Sequence, residues 1–394
     1  MLVKFKAIRL SAIGEDAMKV LLATEWHPLS IGGVQSHVRD LALNLSKLGY
    51  EVFIVSRANN NFTLNGQNTN VLRYYTVKSL LPLNVIIVPP DISQLRTLIT
   101  NIKPDIIHAH HAFTYIPLLS LRVGEVYNIP RVLTNHSIMI GYDYELLWKT
   151  SSYFLLPYRY YISKAQVIIS VSKAADKFIS GFVSGNVKRV IIPNAIDTDR
   201  FKPPKKDPIT PTILFIGRLV YRKGVHVLLR AFSYVVKEEP QAKLVIAGKG
   251  YMKPILRTLA LKLNIRGNVK FKGYVPEEEK PTLYKRSSIV AIPSIYGESF
   301  GIVALEAIAS GRPVVASNIG GLREIIDNGS EGFLVNPNSP KELADKIIML
   351  LQDKKLYKRM TLQARVKAER TYSWDKVIHN IIDVYSQILY STRG

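Results

Sequence analysis

Residues 294–311 read SIYGESFGIVALEAIASG and continue the apolar run Ile289–Ser294, IVAIPS. An apolar run, a glycine loop, helical periodicity and a closing glycine make a strand–loop–helix unit. Its helix is expected to begin near Ser299 and to stop at Gly311. The amides of Ser299, Phe300 and Gly301 would then sit at a helix N-terminus, where free N–H groups and the dipole favour phosphate or sugar oxygens. Glu306 falls about two turns beyond Glu298, so both carboxylates can project into one cleft and accept hydrogen bonds from vicinal hydroxyls. A capping glutamate followed by an exposed helix glutamate is the plainer account of the same spacing.

The unit recurs along the whole chain. In the second half the runs are ILFIG, KLVIAG, VKFKG, IVAIPS, PVVAS and GFLV. In the first half they are Lys19–Thr24 (KVLLAT), Glu51–Ser56 (EVFIVS), Asp105–Ala109 (DIIHA), Val132–Asn135 (VLTN), Gln166–Val171 (QVIISV) and Arg189–Ile192, with helical stretches between. Strands alternating with helices imply an α/β fold with mostly parallel sheets covered on both faces. Residues 202–211, KPPKKDPITP, cannot continue a helix or a central strand, so they read as a linker. The expected layout is an extension over 1–17, a Rossmann-like domain over 18–201, the linker 202–211, and a second Rossmann-like domain over 212–373. A C-terminal helical segment over 374–394 would pack back on the first domain. Two facing domains of this kind enclose a deep cleft, where ligands of such folds bind.

Composition narrows the function. With 394 residues there is room for two domains, and 47% hydrophobic with 21% charged residues is ordinary globular usage. The absence of cysteine removes disulfides, thiolate chemistry and cysteine-ligated metals, and fits a reducing compartment. The formal charge of +23 suits nucleic acid, an anionic membrane surface or phosphorylated ligands. Residues 1–200 hold 21 Lys and Arg against 13 Asp and Glu, and residues 201–394 hold 32 against 17. The charge is therefore diffuse, with no basic tail and no nucleic-acid-reading motif, and nucleic acid is not the expected partner. No run of about 20 apolar residues offers a spanning helix. The first 17 residues lack a signal peptide's apolar core and cleavage pattern, so a cytoplasmic protein is expected, with the option of the membrane's inner face.

Three further stretches carry chemistry. Gly32-Gly33-Val34 follows the first strand and opens a helix, so the backbone can approach an anionic ligand there; a plain tight turn explains it equally well. Arg218 and Lys223, on the loop after ILFIG, suit a diphosphate: arginine forks onto phosphate oxygens and lysine adds a point charge. His108, His110 and His111 (HAHH) suggest a metal, but no paired carboxylate or cysteine pattern completes a site. Asp197-Thr198-Asp199 spells a DxD metal motif, yet after IPNAI it reads as turn chemistry. No metal and no cofactor are expected.

Taken together, Glu298 and Glu306 as an E-x7-E pair resemble the signature of family 4 glycosyltransferases of the GT-B fold. The resemblance runs from Met18 onward through GGVQSHV, PDIIHAHH, TNHS, VIIPNAIDTDRF, FIGRLVYRKG, LVIAGKG, FKGYV and SGRPVVASNIGGLREII, in the family's order. GGVQSHV is also similar to the branches that add N-acetylglucosamine or mannose to phosphatidylinositol. The resemblance implies a retaining transferase that moves a hexose or N-acetylhexosamine from a UDP- or GDP-linked sugar to a lipid or saccharide. It puts Gly33 against the diphosphate or transferred sugar, Arg218 and Lys223 on the diphosphate, and Glu306 on the ribose. Glu298 meets the donor hexose beside the Ser299–Gly301 backbone, and Val275 lies near the base through its backbone. His136 falls at the reacting centre, and His108, His110 and His111 on a strand-end loop facing the acceptor. A nucleotide-sugar epimerase of the same fold is the main rival. A two-lobed solute-binding protein and a basic nucleic-acid-binding protein follow it.

Residues 142–164, YDYELLWKTSSYFLLPYRYYISK, mix aromatics and leucines with Lys149, Arg159 and Lys164. Such a segment can lie at a lipid headgroup boundary or pack as a helix within the first domain.

Overall fold

The computed structural model describes residues 17–28, 30, 32–57, 72–80, 88–138 and 156–393. The alternation builds two sheets. The first contains β1 (Lys19–Thr24), β2 (Glu51–Arg57), β3 (Leu72–Val77), β4 (Ile106–His110), β5 (Arg131–Asn135), β6 (Val167–Ser170) and β7 (Lys188–Ile191). The second contains β8 (Thr212–Ile216), β9 (Lys243–Ala247), β10 (Val269–Gly273), β11 (Ile289–Ile292), β12 (Val314–Ser317) and β13 (Gly332–Val335). Their orders are β3-β2-β1-β4-β5-β6-β7 and β10-β9-β8-β11-β12-β13, and every ladder is parallel. Helices cover both faces, so central strands such as β4 and β11 are buried at every residue, and β11 (IVAI) reads as a continuous apolar run.

Both sheets reverse their winding beside the first strand laid down: β1 lies between β2 and β4, and β8 between β9 and β11. In open α/β sheets the ligand crevice forms outside the carboxyl ends of the strands at such a reversal. Four loops leave from there: to Gly33 after β1, at His111 after β4, Gly217–Gly224 after β8, and Ser294–Gly301 after β11.

The helix Gly33–Lys47 buries Val38, Leu41, Ala42 and Leu45, a helical-period stripe, against Val20, Leu22 and Ile54. The last helix runs Trp374–Arg393, within the expected 374–394, and places Val377, Ile381, Tyr385 and Ile388 in that same core. Just ahead of this helix the Ile196 amide donates to Tyr372 O at 2.8 Å, tying the returning chain to the end of the first domain. Residues 202–211 contain neither helix nor strand, and Asp207 within them accepts from the buried Arg312 at 3.0 Å. No helix among the described residues is long and apolar enough to cross a membrane.

Two local readings are corrected. The helix expected from Ser299 to Gly311 spans Ile302–Ala309, because Gly301 takes a left-handed conformation (φ 106°) and extends the loop. Strand β4 runs through His110, so His108 and His110 lie inside the sheet rather than on the loop beyond it.

Candidate active site

On the second sheet, the loops after β8 and β11 are locked together. Gly224 has φ 66°, and a Cβ there would fall 1.9 Å from Pro293 O, so only glycine lets the loops approach this closely. Arg222 carries the contact on: its carbonyl accepts from the Ile295 amide at 2.7 Å and its guanidinium donates to Gly297 O at 2.9 Å. The packing aims Lys223 Nζ at Glu298 Oε1, and the same oxygen accepts the Ser294 hydroxyl at 2.6 Å. Burial pushes the Glu298 carboxyl up, but Lys223 and Ser294 outweigh it and hold it below the usual carboxylate value. Arg218 stands exposed at the mouth of the same loop.

Glu306 has a separate set of partners. Tyr284 donates its hydroxyl to Oε2 at 2.6 Å and Lys280 reaches Oε1 at 3.2 Å, while Glu277 also holds Lys280. Burial raises this carboxyl above its ordinary value, with Lys280 offsetting part of the effect. The two carboxylates of E-x7-E thus face different surroundings, one a lysine and a serine, the other a tyrosine and a lysine. Val275 and Phe300 have their side chains in the core beneath, together with Tyr284, which leaves their backbones for any ligand.

The backbone at 298–301 is fixed from behind and from across the cleft. Glu298 O accepts from the Gly321 amide at 2.9 Å, and a Cβ on Gly320 would sit 2.0 Å from that oxygen. From the first domain, Ser172 Oγ donates to Ser299 O at 2.6 Å and the Lys173 amide donates to Glu324 at 2.9 Å. Gly33 faces Ile302, the first residue of the helix that follows, with 3.6 Å from a notional Cβ to its side chain. The two halves of the candidate site therefore meet. Sequence reading missed Ser294, Ser172 and Glu324, whose roles depend on contacts between segments remote along the chain.

The first-domain wall is made of histidines. His136, one residue beyond β5, places Nε2 at 3.3 Å from Nδ1 of His110, and His37 packs edge-on against it with ring centroids 5.1 Å apart. His111 has φ 88° and bonds Ser137 Oγ at 3.0 Å. His108 departs from the expectation. Its ring is fully buried between the sheet and the last helix, bonded to Tyr385 OH at 2.7 Å and Thr134 Oγ1 at 2.6 Å, so it supports the wall and does not face an acceptor. Its fellow His110 is also fully buried, stacked on His108 at 4.2 Å. The period-two geometry of a strand puts 108 and 110 on one face, toward that helix, and sends only His111 onward. Burial lowers His37 and His111 to about 4 and His108 to about 3, and pushes His110 and His136 well below the ordinary value, so the wall is neutral at pH 7.

Asp197 turns inward on its own loop, with Oδ1 accepting from the Asp199 and Arg200 amides at 2.9 Å each, while Asp199 pairs with Lys202. Of the aromatic segment, Tyr142 through Leu155 fall outside the described residues, Trp148 and Phe154 among them. The helix Leu156–Ile162 packs Tyr158, Tyr161 and Ile162 into the first domain and exposes Tyr160, with Lys164 Nζ 4.3 Å above its ring.

Comparison with known proteins bears on family and fold. Residues 31–200 match the family described as Glycosyltransferase Family 4, and residues 196–367 match Glycosyl transferases group 1. An uncharacterized glycosyltransferase from Methanocaldococcus jannaschii is 31% identical, covering 93% of this chain and 98% of its own. Glycogen synthase from Mycobacterium tuberculosis is 28% identical over 96% of each. Among solved structures, sucrose-phosphate synthase from Thermosynechococcus elongatus superposes with TM-score 0.80 at 21% identity, covering 95% of this chain and all of that one. Anabaena HepE, solved with UDP and glucose, gives 0.74 at 20% identity, covering 94% of this chain and 100% of its own.

Proposed function

The chain belongs to the family 4 glycosyltransferases of GT-B fold, and we propose that it is a retaining, metal-independent hexosyltransferase using a UDP-linked sugar. The observation that carries this reading is the Lys223–Glu298–Ser294 cluster at the reversal point of the second sheet, set opposite the His136 wall of the first. UDP and glucose in the Anabaena structure support the choice of donor. In this reading Arg218 and Lys223 hold the diphosphate, Glu298 the hexose, Glu306 the ribose, and Gly33 lets the first domain close over them.

The chemistry is a same-face displacement. The bond from the anomeric carbon to the diphosphate oxygen breaks, and the acceptor oxygen bonds to that carbon on the same face. The acceptor's proton passes to the departing diphosphate, whose growing charge Arg218 and Lys223 stabilise in place of a metal ion. No glycosidase-like pair of carboxylates is required. The acceptor is a lipid or a saccharide, and the exposed Tyr160 with Lys164 beside the aromatic segment favours an acceptor presented at a membrane surface.

Incubation with labelled UDP-sugars in the presence of EDTA tests the proposal, with product configuration read from anomeric proton couplings. Transfer with retained configuration is expected. Epimerised sugar, inverted product, or activity lost to EDTA and restored by a divalent ion would overturn it.

A further inference from the structure

The wall opposite the donor loops contains a cluster of histidines to which the proposed transfer step assigns no joint role. His37, His110 and His136 come from three elements: the helix after β1, the end of β4, and the residue after β5. One ring nitrogen from each lies within 4.8 Å of the others, and all three side chains are buried. His110 Nδ1 and His136 Nε2 are 3.3 Å apart. Two imidazole nitrogens bound to one tetrahedral zinc at about 2.0–2.1 Å are separated by roughly 3.3–3.4 Å, so this edge already has the required span. His37 Nδ1 is buried with no hydrogen-bond partner, the kind of orphaned polar atom that a native structure seldom leaves unexplained. We propose that His37, His110 and His136 form a binding site for a zinc-class divalent cation, and that the bound ion withdraws His136 from the reaction centre.

Imidazole-only ligation suits Zn²⁺, Cu²⁺ and Ni²⁺ and selects against Mg²⁺ and Ca²⁺, which take oxygen ligands. Three protein ligands leave a fourth position for water or an acceptor hydroxyl. His108, stacked on His110 and bonded on both ring nitrogens, holds the cluster from behind. HAHH on its own lacks a completing partner. The partner is His37, one turn into the helix that follows the glycine pair, and the two outer histidines of HAHH take no part. A metal that ties up the His136 lone pair blocks any contact of that nitrogen with the sugar or acceptor, so the ion is an inhibitor of transfer and never its cofactor.

The binding half is independent of the glycosyltransferase reading; the inhibitory half rests on it. Titration of the full-length protein with Co²⁺ should give the absorption bands of a four-coordinate nitrogen site, saturating at one ion per chain and displaced by Zn²⁺. His37→Gln and His110→Gln should each weaken zinc binding by roughly ten-fold or more in equilibrium dialysis, with folding confirmed by circular dichroism. Absence of the Co²⁺ bands in wild type, or zinc binding unchanged in both folded variants, would overturn the site. Zinc should also reduce sugar transfer in proportion to occupancy, reversibly with EDTA. Full occupancy with undiminished transfer would overturn the regulatory role while leaving the activity itself established.

Discussion

Lys223 Nζ rests on Glu298 Oε1, the oxygen that also accepts the Ser294 hydroxyl at 2.6 Å. The pair joins the loop after β8 to the loop after β11. In the proposed function, an arriving diphosphate would draw Lys223 toward itself and free Glu298 for the sugar hydroxyls. Before the donor arrives, the pair contributes to stability.

That contribution has a pH signature. The folded Glu298 carboxyl lies below its ordinary value, so its stabilising effect is complete above the unfolded value near 4.3 and is lost as pH falls through the lower folded value. Glu298→Gln leaves Lys223 without its anion and should cost on the order of 1–3 kcal/mol at pH 7. The gap in unfolding free energy between wild type and variant should narrow below about pH 4. A gap that stays constant from pH 7 to pH 3 would show that the carboxylate charge is not what stabilises the loops.

Arg218→Ala and Glu306→Ala should part in their kinetics. Charge on the leaving diphosphate grows only as the bond breaks, so loss of Arg218 should lower kcat on the order of 10²–10³-fold. A ribose contact is equally strong before and during reaction, so loss of Glu306 should raise KM for the donor by roughly ten-fold with a smaller change in kcat. Steady-state measurements over a donor series check both, and wild-type kinetics in both variants would refute the assigned donor site.

Gly224→Ala is a test of the loop contact. The residue is left-handed and its new methyl would meet Pro293 O, so the β8 and β11 loops must separate. A loss of about 2–4 kcal/mol in denaturant unfolding is expected, with weaker donor binding because Lys223 moves off its aim. Unchanged stability would mean that the loops tolerate separation.

What could be read from sequence was what repeats locally. Runs such as KVLLAT and KLVIAG alternate with helical periods, so both sheets and the break at 202–211 were legible. Glu298 and Glu306 stood out because seven residues of glycine loop and helix separate them. The rest depended on distance in the chain. His108 looked like a cleft residue until Tyr385, 277 positions away, supplied its hydrogen bond. Ser299 looked like the start of a helix because periodicity cannot register that Gly301 is left-handed, a conformation tied to Leu322 packing where a Cβ would go. His37 carried no signal beyond its place in GGVQSHV, since its neighbours His110 and His136 reach it only through the parallel order of β1, β4 and β5.

The acceptor leads to the last prediction. Trp148, Phe154, Lys149, Arg159 and Lys164 combine apolar rings with cations, the pattern that settles at a headgroup boundary. If this segment meets a membrane, the protein should sediment with anionic phospholipid vesicles, and added salt should weaken the association by screening the cations. Charge alone is not diagnostic here, because a net +23 spread over both halves attracts any anionic surface. The informative comparison holds charge constant. Replacing Trp148 and Phe154 together with serine removes apolar contact and no cation, so it should reduce vesicle binding several-fold while donor affinity, which depends on the second domain, stays intact. The same variant should lose turnover with an acceptor embedded in vesicles more than with a short-chain, water-soluble analogue. Equal vesicle binding by the folded variant would assign the attraction to diffuse charge and favour a soluble saccharide acceptor.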